Sequence, residues 1–164
     1  MQVVDQFRVR NQFHGVLLGL AGTWRLDRFT LEAIGRVSVG HLYRNVDIYG
    51  QTTVVIPGEA TFVSSGGLLA QRSNIGNYDR NTWTAIPEAD LRLGYDLTER
   101  IRLFAGYSVL ILNDFYRAGD VVDTTVNPNL IPPGTGNGPL RPAFQPSSST
   151  IWVHGITLGA ELRF

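Results

Sequence analysis

The chain has 164 residues, 43% hydrophobic and only 17% charged, with 14 basic and 14 acidic side chains in balance. That length fits a single domain of ordinary size, and the zero net charge offers no field to attract nucleic acid or an acidic partner. The absence of cysteine excludes a disulfide frame, a thiolate metal site and a cysteine nucleophile.

The opening MQVVDQFRVRN has no charged segment followed by an apolar run, so no signal peptide is expected within it. A leader for export would lie outside this chain. No run of about 18 apolar residues occurs, so no helix is expected to span a membrane.

Period two dominates the chain. In a first strand, from about Phe13 to Trp24, His14, Val16, Leu18, Leu20 and Trp24 share one side. Gly15, Gly19, Ala21 and Thr23 share the other, with Leu17 as the exception. After a tight turn at Leu26-Asp27-Arg28, a second strand sets Phe29, Leu31, Ala33, Val37 and Val39 against Thr30, Glu32, Arg36 and Ser38. VDIYGQTTVVI, residues 46 to 56, is expected to form a small external hairpin extending it.

The third strand, residues 82 to 97, is the clearest. Trp83, Ala85, Pro87, Ala89, Leu91, Leu93, Tyr95 and Leu97 alternate with a face that carries Glu88, Asp90, Arg92 and Asp96. A helix would smear those charges around its circumference, whereas a strand sorts them. Pro87 removes a ladder donor, so a bulge or irregular pair is expected there. A turn at Thr98-Glu99-Arg100 leads to a fourth strand from Ile101 to about Phe115, whose polar side holds Arg102. The last strand runs from about Thr150 to Phe164. It places Trp152, Ile156, Leu158, Leu162 and Phe164 opposite Thr157, Gly159, Glu161 and Arg163. The two remaining connections, of roughly 40 and roughly 35 residues, exceed ordinary loops several-fold. The Pro- and Gly-rich stretch from Asn127 to Pro146 is expected to be an external loop, in preference to a constriction folded into a barrel.

Five strands of about 15 residues, joined short, long, short, long, predict an all-β antiparallel up-and-down transmembrane barrel, with short periplasmic turns and long external loops. Residues 1–164 are read as one domain, the C-terminal part of such a barrel. Alternation alone also fits a soluble lipocalin-like barrel with its apolar face around a ligand. Three features favour lipid outside. The polar face mixes small residues with opposed charges, as a wet lumen would, in Glu32, Arg36, Glu88, Asp90, Arg92, Asp96, Arg102, Glu161 and Arg163. Aromatic residues, with Trp24, Phe29, Trp83, Tyr95 and Trp152 as the girdle, cluster near strand ends on the apolar face. The short turns and the long loops fall at opposite ends. Five strands cannot close on themselves, so further strands or further copies are expected to complete the barrel.

The chain's end resembles the C-terminal assembly signal of bacterial outer-membrane barrels. Thr157, Gly159, Leu162 and Phe164 fill its polar, glycine, apolar and terminal aromatic places. RNQFHGVLLGLAGTW, VGHLYRNVDIYGQTT, GGLLAQRSNIGNY, IPEADLRLGYDLTERIRLFAGYSVL, VNPNLIPP, GPLRPAFQP and WVHGITLGAELRF together resemble the beta-barrel porin family numbered seven. The resemblance implies an outer-membrane location, a longer N-terminal part, a last strand read by the barrel-assembly machinery, and no catalytic residues. The expected partners are outer-membrane lipid and small polar solutes, with no nucleic acid and no cofactor.

The three histidines, His14, His41 and His154, are too far apart for a local metal motif and read as interfacial. Glu88 and Asp90 read as rungs of a charge ladder with Arg92 and Arg102, and no nucleophile elbow occurs, so an enzyme is not expected. A membrane-anchored structural or adhesion barrel is the main alternative to a porin. Deleting Phe164 should impair assembly into the outer membrane, measured as the fraction of expressed protein in the membrane pellet. Insertion at the unmodified level would contradict the terminal signal.

Overall fold

The computed structural model describes residues 1–58, 60–132, 134 and 136–164. Glu59, and Pro133 and Thr135 within the Pro- and Gly-rich stretch, lie outside the described residues. The strands are β1 (Gln2–Leu26), β2 (Phe29–Val54), β3 (Phe62–Ser65), β4 (Gly76–Asp96), β5 (Ile101–Phe115) and β6 (Ser149–Leu162). They form one antiparallel sheet in the order β1-β2-β4-β5-β6, with β3 on β2. Among the described residues β1 and β6 do not pair, so the sheet is open. The only helical pieces among the described residues are two 3₁₀ turns, Ala118–Val121 and Pro128–Leu130.

β5 has the bounds the alternation predicts, but β1 and β2 reach 25 and 26 residues. The extra length was hidden because the polarity of the pattern reverses. From His14 to Leu20 the exposed even positions of β1 are apolar, whereas Gln6, Arg8, Arg10 and Gln12 are exposed and Phe7 and Val9 are sheltered. In β2 the exposed positions run apolar as far as Tyr43; beyond it Val46 and Ile48 are the buried ones. A search for one apolar face therefore stops at Phe13 and at Tyr43 although the strands continue. The second loop is correspondingly shorter than expected. Residues 46–54 are the end of β2 itself, and the hairpin is made by β3, pairing from Gln51↔Ser65 to Val54↔Phe62.

The irregularity expected at Pro87 is visible in the pairing. The regular β4–β5 register runs from Glu88↔Leu110 to Asp96↔Arg102 and so begins just after the proline. Before it, side chains take over: the Asn113 amide donates to the Ala85 carbonyl at 2.9 Å, and the Thr84 hydroxyl donates to the Asn113 carbonyl at 3.4 Å.

The chain clusters into two units whose boundaries coincide with the reversal of polarity. One comprises 13–42, 83–114 and 150–164 and contains both short turns. Asp27 turns the first with φ of 51°, a left-handed conformation that Asp tolerates better than most residues. Thr98 organises the second. Its hydroxyl accepts from the Arg100 and Ile101 N–H groups at 3.3 and 3.0 Å, while the Leu97 N–H donates to the Ile101 carbonyl at 2.9 Å.

The other unit comprises 1–12, 43–82 and 115–149. Its strands expose Gln6, Arg8, Arg10, Asp79 and Asn81 and bury an apolar cluster of Val46, Ile48, Ala70, Tyr116 and Val121, with Phe7, Val9, Ile75 and Phe144 packed against it. The connection after β3 is fastened to β1 by Asp5, whose carboxylate accepts from the N–H groups of Leu68, Leu69 and Ala70 at 2.9–3.1 Å. Gly67 lies against that carboxylate, and a β-carbon there would collide with it. The end of the Pro- and Gly-rich stretch packs on this unit. Phe144 stacks on Tyr78 at 3.7 Å between ring centres, Pro142 is buried, and the Ser73 hydroxyl donates to the Pro142 carbonyl at 2.7 Å.

Asp123 is the hub of that loop. It accepts from the Ala143 N–H at 2.9 Å, from Arg141 at 2.7 Å and from the Thr125 N–H at 2.9 Å. These donors, the Ala143 N–H first, hold its carboxyl well below the usual carboxylate range. A depressed carboxyl adds stability above its unfolded value, and that stability is lost as pH falls from there toward the folded value. Hydrogen-exchange protection around Asp123, Thr125 and Ala143, corrected for the intrinsic pH dependence of amide exchange, should therefore be the same at pH 5 as at pH 7 and fall progressively below about pH 4. Asp123→Asn should already show low protection at pH 7. Protection that is independent of pH and of the substitution would contradict this.

Candidate functional site

In the unit comprising 13–42, 83–114 and 150–164, alternation gives each strand two unlike sides. The uncharged side is the exposed one. Leu18 and Leu20 on β1, Phe29 and Leu31 on β2, Leu91 and Leu93 on β4, Leu103 on β5, and Ile156 and Leu158 on β6 are all at least 40% exposed. The ionic side is organised by its own pairings. Apolar side chains therefore do not gather around a dry centre in this unit.

The ionic side is built rung by rung from the pairing of strands. Arg36 on β2 reaches across to two carboxylates of β4, Glu88 and, at 2.9 Å, Asp90. The register sets Asp96 of β4 opposite Arg102 of β5. There the guanidinium makes two bonds to the carboxylate, at 2.7 and 3.2 Å, and a third to the Thr30 hydroxyl at 3.3 Å. Gly94 leaves room for the Arg102 stem, which passes 3.3 Å from where a β-carbon would stand. From β6, Glu161 approaches Arg92 at 4.0 Å, and Arg163, just past its end, approaches Asp96 at 3.6 Å. Eight of the nine ionic residues read from the sequence thus join ion pairs, in two groups: Arg36 with Glu88 and Asp90, and Arg92, Asp96, Arg102, Glu161 and Arg163. Among the described residues the ninth, Glu32, makes none; it lines a recess of about 280 Å³ with Asp90, Arg92, Phe104, Ser108 and Thr157.

The partners differ from the expected ones. Glu88 and Asp90 pair with Arg36, whereas Arg92 goes to Glu161 and Arg102 to Asp96. Sequence reading grouped charges close along β4, but the sheet brings β2 and β6 residues within reach. Phe104 was also missed, since it is an aromatic at a polar-side position of β5. It stands on the ionic side with the Arg92 guanidinium 3.7 Å above its ring. Its other neighbour is Gly159, where a β-carbon would overlap the ring. The signals in the sequence were two separate ones, a strand glycine and an aromatic at a polar-side position, which only the pairing of strands brings together.

The remaining site residues are exposed or at the rim. Phe29 lies 4.9 Å from Tyr95, Trp83 meets His41 edge-on at 5.4 Å, and Trp24 folds over Gly22. Trp152 is exposed on β6, and His154 lies 6.2 Å from Tyr107. Of the terminal four, Thr157 lines the recess and Gly159 carries Phe104. Leu162 is exposed, and Phe164 lies beyond the end of β6, fully exposed. Among the described residues no cluster of three or more His, Cys, Asp or Glu could hold a metal ion.

Gly159→Val should destabilise the folded protein by about 1–3 kcal/mol, because Phe104 has nowhere to move without leaving Arg92. A urea titration of refolded protein measures it. Gly159→Val combined with Phe104→Ala should recover part of that loss, and additive losses would show that the two residues do not interact.

The family model described as "Putative beta barrel porin-7 (BBP7)" matches residues 1–164, the whole chain. No curated protein and no solved structure matches it. An antiparallel sheet of long strands with almost no helix is consistent with that match, and the chain belongs to the beta barrel porin-7 family.

Proposed function

We propose that the chain contributes five membrane-crossing strands to an outer-membrane β-barrel that passes small polar solutes passively, without catalysis. The observation that carries this reading is the sorting in one unit: an uncharged, exposed side backs onto an ionic side whose charges pair across β2, β4, β5 and β6. Family membership supports the barrel and suggests the outer membrane. The dimensions support it too. Trp83 to Tyr95, at about 3.3 Å per residue and a tilt of roughly 40°, rises roughly 30 Å, the thickness of a hydrocarbon core. The partners on this reading are outer-membrane lipid, the assembly machinery that reads Thr157, Gly159, Leu162 and Phe164, and small polar solutes.

In hydrocarbon an open edge would leave backbone N–H and C=O groups without partners, so the free edges of β1 and β6 require completion. Parity restricts how. Across five antiparallel strands, β1 and β6 run in the same direction. An all-antiparallel closure then needs an odd number of further strands. Two copies joined around one axis would instead place parallel seams between them.

The paired charges predict weak ion selectivity, because most cations on the ionic side are matched by carboxylates. Reconstituting the full-length protein in planar bilayers should give an ohmic conductance with little preference between K⁺ and Cl⁻. Arg36→Gln leaves Glu88 and Asp90 without their cation and should shift the permeability ratio toward K⁺ by roughly twofold or more. Absence of conductance would favour a structural or adhesive role. Conductance whose selectivity ignores Arg36 would remove this face from the path.

A further inference from the structure

The exposed side of the strands in the unit comprising 1–12, 43–82 and 115–149 holds a recess of about 360 Å³, lined by Arg10, Gln12, Tyr43, Asn45, Asp79 and Asn81. Arg44 borders it too, with its guanidinium 4.5 Å over the Tyr116 ring. The first six come in alternate pairs, two from each of β1, β2 and β4, so all of them can face one side of the sheet. None is aliphatic. A recess of this make-up does not suit an acyl chain; it suits a ligand covered in hydroxyl and charged oxygens.

We propose that this recess binds a phosphorylated sugar. Arg10 supplies the anion contact. Among the described residues no carboxylate lies within 4.0 Å of it, so its guanidinium is not neutralised, and its fork of donors matches phosphate geometry. The amides supply the sugar contacts. Asn45 donates to both Asn77 and Asp79 at 2.8 Å, which fixes its amide plane before any ligand arrives. Asp79, Asn81 and Gln12 add acceptors and donors suited to hydroxyls. The Tyr43 ring, 46% exposed, offers a flat apolar surface to a sugar's C–H face.

Position along the strands points to the source. Two residues beyond Gln12 and Asn81 come His14 and Trp83, where the exposed side turns apolar. Resting on the membrane-spanning reading above, the recess stands at headgroup level, and the phosphorylated sugar is carried on an outer-leaflet lipid.

The test is a pair of titrations of full-length protein in detergent, so neither depends on insertion into a bilayer. One uses glucosamine 1-phosphate; the other uses a fluorescent lipid with a phosphorylated diglucosamine headgroup. Both should bind, the lipid more tightly, and Arg10→Gln should weaken both by at least about tenfold. Tyr43→Leu should weaken both as well, and Arg72→Gln should match the wild type. Binding of glucosamine 1-phosphate but not the lipid upholds the site and assigns it a free ligand. If the protein fails to enter vesicles but binds glucosamine 1-phosphate through Arg10, the site stands and the membrane-spanning reading falls. Binding of neither probe, or Arg10→Gln binding as the wild type does, overturns the proposal.

Discussion

Almost every residue of a chain carries a backbone donor and acceptor, and wherever water is excluded each must find a partner within the protein. Much of the architecture here follows from that requirement. It selects a sheet, since pairing from β1 through β6 satisfies successive strands in turn. It makes the side chains alternate, because a paired strand must send them to opposite sides. It also makes the two edges the least settled part of the sheet, which is why closure governs any account of the protein in a membrane.

Alternation fixes that there are two sides without fixing which is apolar. The two units use it in opposite senses. In one, exposed Leu18, Leu91 and Ile156 back onto rungs of arginine and carboxylate. In the other, exposed Arg10 and Asp79 back onto Val46, Ile48 and the folded loop held by Asp123. The second is how a strand behaves in water, and the first is how it behaves with hydrocarbon outside. A strand such as β2 changes from one arrangement to the other near Tyr43 without losing its hydrogen bonding. The aromatic and histidine residues at such points, among them His41 and Trp83, have rings that tolerate both surroundings.

The period of two was legible in the sequence wherever the apolar side kept one parity, as in β5, whose bounds were read correctly. It was lost at Gln12 and Tyr43, because a reversal of polarity mimics the end of a strand. The ionic residues were found by the same sorting. Their partners were not, since cross-strand distance depends on register: no spacing within the chain says that Arg36 meets Glu88 or that Glu161 nears Arg92. Asp5 and Asp123 were invisible for a related reason. Each accepts from at least one backbone N–H group distant in sequence, and backbone groups leave no residue-type signature.

The central claim is that the uncharged stripes of one unit face acyl chains while the ionic stripes face water. Nitroxide labels placed one at a time from Leu91 to Tyr95 in the bilayer-reconstituted full-length protein test it most directly, by accessibility to oxygen and to a water-soluble nickel chelate. The account predicts a period of two, with oxygen favoured at Leu91, Leu93 and Tyr95 and the nickel chelate at Arg92, Gly94 and their alternates. Labels at Leu91 and Leu93 that contact nickel as readily as Arg92, or that contact neither reagent, would contradict it.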